Sequence, residues 1–151
     1  MAEDLYNTRI LEIAGSLKAD DRLEAPDASV TVTSPLCGSR IKVDLTMQGD
    51  RITGYGHQVR ACALGQSSAA IMASHAVGET AQAMRDLREQ MQAMLKQDGP
   101  APEGRWSDLE VLGPARSYRA RHASILLPFN AVVQAIEQIE AERHGNREQS
   151  A

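Results

Sequence analysis

The sequence predicts an α+β fold in which a small antiparallel sheet of about three strands packs against about four helices. Three observations carry that prediction. Apolar residues alternate with polar ones from Ile41 to Met47, the period of a strand with one wet face. Before and after that run they recur every three or four residues, the period of amphipathic helices. The chain has 151 residues, 42% of them hydrophobic, which suits a single core. Residues 1–143 are read as one domain and residues 144–151 as a polar, frayed tail.

From Leu5 to Lys18, Tyr6, Ile10, Ile13 and Leu17 share one face of a first helix. The polar run Ala19 to Ala28 reads as a loop, and the β-branched run Ser29 to Thr33 as a first strand. Pro35 and Gly38 mark a turn that carries Cys37. The alternating strand follows. Gly49 and Asp50 then make a tight connection, and Arg51 to Arg60 returns as an antiparallel partner weakened by Gly54 and Gly56.

After Cys62 the small residues of Ala63 to Val77 predict a closely packed helix with Gly78 as its C-cap. Thr80 caps the next helix, whose Met84, Leu87, Met91 and Met94 form a stripe. Methionines at this spacing read as core filler rather than as a binding groove. Gln97 to Pro102 is a loop, and Trp106 reads as a lid or edge residue on the core. Ile125, Phe129, Val132, Ile136 and Ile139 outline a last helix, with Pro128 expected in its first turn.

Composition narrows the function. Twenty acidic against sixteen basic residues leave a net charge of −4, without the basic footprint that a phosphate backbone requires, so no nucleic-acid partner is expected. No apolar run is long enough to span a membrane, and the N-terminus lacks the apolar core of a secretory signal. A cytoplasmic location is therefore expected, where two cysteines read as thiols or metal ligands rather than a disulfide. The chain contains no phosphate-binding glycine loop, dinucleotide fingerprint, hydrolase elbow or Cys-x-x-Cys pair, and it is not expected to be an enzyme.

What remains is thiol chemistry. Cys37 lies on a glycine turn near Arg40, and Cys62 lies at the start of a helix; exposed amide groups favour a charged sulfur in both settings. Two buried cysteines acting as small hydrophobes are the plainer alternative. His122, which ends the run Arg119 to His122, is a third candidate donor. His57 and His75 are weaker ones.

These residues resemble the U-type iron-sulfur cluster assembly scaffolds over roughly Leu5 to Ile139. Ser34-Pro35-Leu36-Cys37-Gly38 matches the first ligand motif of that family, and Cys62 with the run Ser67 to Met72 matches the second. Arg119 to Leu126 occupies the place of the third. The stretch Gln97 to Leu112 is more similar to the zinc-binding branch than to the branch served by a dedicated chaperone, whose recognition sequence is absent. Ser39 stands where the family has an aspartate, and Ala123 where it has a third cysteine.

The resemblance implies iron, zinc or a transient iron-sulfur cluster held by Cys37 and Cys62, with His122 as a third ligand. A cysteine desulfurase and iron-sulfur acceptor proteins would be the partners. The missing donors would come from water, small thiols or a second copy of the chain in a homodimer. Two other readings stay open: an interaction module that regulates a desulfurase or scaffold, and a carrier of persulfide sulfur.

Overall fold

The computed structural model describes residues 7–35 and 38–150, the last five of these as backbone only. The expected contribution of Tyr6 lies outside the described residues. Helix α1 (Thr8–Gly15) starts at Asn7, whose side chain accepts from the Ile10 amide, and it buries Ile10 completely. Ile13 and Leu17 pack against the same core.

Among the described residues four strands form one antiparallel sheet in the order β1-β4-β3-β2: β1 (Asp20–Asp21), β2 (Ala28–Thr33), β3 (Arg40–Gln48) and β4 (Arg51–Arg60). The count exceeds expectation by the two-residue β1, which arises inside the polar run read as loop. Gly54 and Gly56 explain both this extra strand and the weak sequence signal of β4. A Cβ on Gly56 would come within 2.6 Å of the Leu23 backbone nitrogen, so the bare backbone lets the segment after β1 cross the sheet there.

That crossing buries a face expected to be wet. Asp44 is fully buried, and it accepts two hydrogen bonds from the Arg22 guanidinium at 2.9 and 3.0 Å, one from Ser29 Oγ at 2.5 Å and one from the Leu23 amide at 3.2 Å. Burial alone would push the Asp44 carboxyl up. These donors and the Arg22 charge outweigh burial and hold it below the ordinary carboxylate range. On the opposite face Ile41, Val43, Leu45 and Met47 enter the core as their alternation requires.

Helices α2 (Ala63–His75) and α4 (Arg119–Ser150) cover this core face, α4 lying against β2 and β3, while α3 (Ala81–Lys96) packs on α4. The methionine stripe is core: Met84, Met91 and Met94 are fully buried and Leu87 nearly so. Thr80 Oγ1 accepts from the Ala83 amide at 3.1 Å, the cap expected for α3. Gly78 adopts φ +98, but it lies beyond the C-cap Ala76, and its amide bonds to the Ile52 carbonyl. Its left-handed turn therefore joins α2 to the sheet rather than ending the helix.

Between α3 and α4 runs a segment of 3-10 turns (Gly104–Ser117), in which Trp106 is buried and stacks edge-on against His75 at 5.5 Å. The placement of Pro128 departs from expectation. Helix α4 begins at Arg119, so the proline lies in its interior and the Ser124 carbonyl loses its usual amide partner. One residue further on, Ser68 Oγ of α2 donates to the Ile125 carbonyl at 2.6 Å and fastens this part of α4 to its neighbour. The helix also continues through the polar tail, and Arg143 donates to the Met47 and Gly49 carbonyls at the β3-β4 turn.

Candidate functional site

The register of the β3-β4 hairpin builds the site. Arg40 pairs with Arg60, and Arg40 also pairs with Thr33 on the other side. Whatever precedes Arg40 must therefore lie beside whatever follows Arg60. Gly38 and Ser39 accordingly share a depression of about 360 Å³ with Arg60, Ala61 and Cys62. The two cysteine-bearing junctions, 25 residues apart in sequence, meet at one end of the sheet.

The loop Ser34 to Ser39 is closed by its own backbone. The Ser34 amide donates to the Ser39 carbonyl at 2.7 Å, and the Gly38 amide to the Ser34 carbonyl at 2.9 Å. Gly38 takes φ +71, a conformation that a side chain would strain. Leu36 and Cys37 lie outside the described residues, so it is the flanks of Cys37 that locate this loop at the depression.

Cys62 is half-buried at the N-cap of α2, with extended backbone and no side-chain capping bond. Its Sγ lies 3.5 Å from Ser124 Oγ, and Ser124 Oγ donates to Ser39 Oγ at 3.2 Å. Ser124 is fully buried and Ser39 nearly so. One hydroxyl from α4 thus bridges the sulfur on α2 and the loop that carries Cys37. Gly65 makes room for it, because a Cβ there would stand 2.4 Å from Ser124 Oγ and 2.8 Å from Ala61 Cβ. Neither Ser124 nor Gly65 was singled out by sequence; the available signal was a hydroxyl on an otherwise apolar helix face, directly after Ala123.

His122 sits apart from this chain of contacts. It is buried, and its Nε2 donates to the Ala115 carbonyl at 2.9 Å and the Arg116 carbonyl at 3.1 Å, which ties the end of the 3-10 segment to α4. His122 and Ala123 line a second depression, with Leu95, Lys96, Arg116 and Arg119. Among the described residues no group of three histidine, cysteine or carboxylate side chains is placed to hold a metal ion.

His57 is tied into the fold by both ring nitrogens. His57 Nε2 donates to the Lys18 carbonyl at 2.8 Å, and its Nδ1 lies 3.2 Å from the Tyr55 hydroxyl. Burial lowers its pKa and outweighs the Lys18 carbonyl and the Asp21 and Asp44 charges, so the ring is held neutral. Burial likewise raises the Tyr55 phenol. No helix among the described residues is long and apolar enough to cross a membrane.

No protein-family model matches the sequence, and no curated protein matches it either. Solved structures do. The N-terminal part of a nitrogen-fixing NifU-like protein from Brucella abortus superposes with a TM-score of 0.90 at 49% identity, covering 93% of this chain and 97% of that one. A putative iron-sulfur cluster assembly scaffold protein for the SUF system from Fervidobacterium islandicum gives 0.79 at 19% identity, covering 87% of this chain and 96% of that one. The second likeness is one of fold. The first, with nearly half the residues identical over almost the whole of both chains, decides the relationship: the chain belongs to the U-type iron-sulfur cluster assembly scaffold family, beside the NifU-like N-terminal domains.

Proposed function

We propose that the protein serves iron-sulfur cluster assembly as a scaffold, holding iron or a nascent cluster as transient cargo between Cys37 and Cys62. The observation that carries this reading is the hairpin register, which sets Gly38 and Ser39 beside Ala61 and Cys62 on one depression. A half-buried thiol at the mouth of such a depression can bind a soft metal and still release it.

The donor set shapes the proposal. One chain offers two thiols, while Ser39 and Ala123 occupy the places of the carboxylate and third thiol expected from the family. His122 would join only through Nδ1, because Nε2 is engaged by two carbonyls. A two-iron cluster takes four thiolates. Two copies of the chain, each presenting Cys37 and Cys62, supply that number and make the homodimer the loaded form. A cysteine desulfurase as sulfur donor and apo-proteins as acceptors are the partners this role requires.

Anaerobic reconstitution with ferrous iron and sulfide tests the reading. Loading is expected to reach about one iron per chain, since one two-iron cluster is shared by two chains, with a doubling of molar mass by light scattering. Cys37→Ala and Cys62→Ala should each abolish it. Wild-type protein that takes up neither iron, zinc nor cluster would sink the proposal. A desulfurase retained equally by the double cysteine variant would favour an interaction module instead.

A further inference from the structure

The second depression, between the end of α3 and the start of α4, has a volume of about 540 Å³ and is lined by Leu95, Lys96, Arg116, Arg119, His122 and Ala123. No carboxylate lines it, although acidic residues outnumber basic ones 20 to 16 in the chain. A concave surface lined by one sign of charge raises the local concentration of counter-ions.

Two of its basic side chains are already fixed. The Arg116 guanidinium donates to the Met94 carbonyl at 2.9 Å and the Gly99 carbonyl at 3.0 Å, and exposed Asp98 lies 3.3 Å from its Nε. His122 is anchored by the Ala115 and Arg116 carbonyls. Lys96 and Arg119 differ, as neither makes a hydrogen bond or ion pair among the described residues. Arg119 also opens the 32-residue α4, so the positive end of a long helix adjoins the same space. The free cations, the preset guanidinium and the helix end all suit oxyanions, while Leu95 and the Ala123 methyl give an apolar wall that fits a carbon skeleton.

We propose that this depression binds a small di- or tricarboxylate. The site uses neither cysteine and shares only His122 with the donors of the scaffold reading, so variants of Lys96, Arg119 and the cysteines test the two separately. Calorimetric titration of citrate into the full-length, metal-free protein at low ionic strength tests it, with inorganic phosphate as the comparison anion. One saturable citrate site is expected. Lys96→Gln and Arg119→Gln should each weaken it about tenfold, the loss of one charge-assisted contact, without changing the circular dichroism spectrum. Lys42→Gln on β3 should bind as wild type, and so should Cys62→Ala. Absence of a saturable site, an equal loss in Lys42→Gln, or phosphate binding as tightly as citrate would each overturn the assignment. Citrate binding by a protein that fails to load iron would leave this site standing and remove only the scaffold reading.

Discussion

Ser124 holds the candidate site together through a single oxygen, which touches Cys62 Sγ and Ser39 Oγ at once. Its place depends on a missing side chain at position 65. Gly65→Ala would drive a methyl into Ser124 Oγ and Ala61 Cβ, an overpacking expected to cost about 2 kcal/mol in urea unfolding. Removing the hydroxyl relieves one of the two clashes, so Gly65→Ala should cost less in a Ser124→Ala background; strictly additive losses would show that the two residues are not coupled.

Position 123 matters in the opposite sense. Ala123→Cys combined with Ser39→Asp supplies the two donors that the family resemblance implies at those positions. Iron retention under a competing chelator should rise at least about tenfold as the donor number increases from two to four. Unchanged retention would mean that the loop and the first turns of α4 do not converge on one metal.

At the scale of elements, the segment from Lys18 to Leu23 is held by two side chains besides the backbone pairing of β1 with β4. The His57 ring holds the Lys18 carbonyl, and Asp44 holds Arg22 and the Leu23 amide. Their titrations separate two pH windows. His57 has its pKa lowered in the folded protein from 6.5, so the unfolded chain binds the proton first as pH falls. Stability is therefore full above about pH 6.5 and declines below it until the folded pKa is passed. Asp44 is lowered from 3.8, so its contribution holds through that window and is lost only as pH falls below about 3.8 toward its folded pKa. Urea unfolding at pH 7.5 and 5.5 should show a drop for the wild type and a smaller one for His57→Gln, whose amide can still donate to Lys18; equal drops would refute the role assigned to His57.

For the whole molecule, periodicity made most of the architecture legible. The alternation in β3, the Gly49-Asp50 connection, the Thr80 cap and the methionine stripe each required only residues near in sequence, and each formed as expected. The misreadings share another cause. β1 and buried Asp44 depend on contacts between distant segments, where a bare glycine backbone or the Arg22 and Leu23 donors compensate for a locally unfavourable choice. Local patterns carry no record of such partners.

The site divides along the same line. By itself the sequence determined that two thiols sit at two junctions, Cys37 before the alternating strand and Cys62 before the small-residue helix, because turn chemistry and hydrophobic period are local properties. Only the tertiary structure decided what surrounds them. The pairing of Arg40 with Arg60 brought the junctions together, the packing of α2 against α4 placed Ser124 under Cys62, and the tie of His122 to two carbonyls set it in a different depression. Those outcomes rest on strand register and helix contact, which bring together residues far apart in the chain.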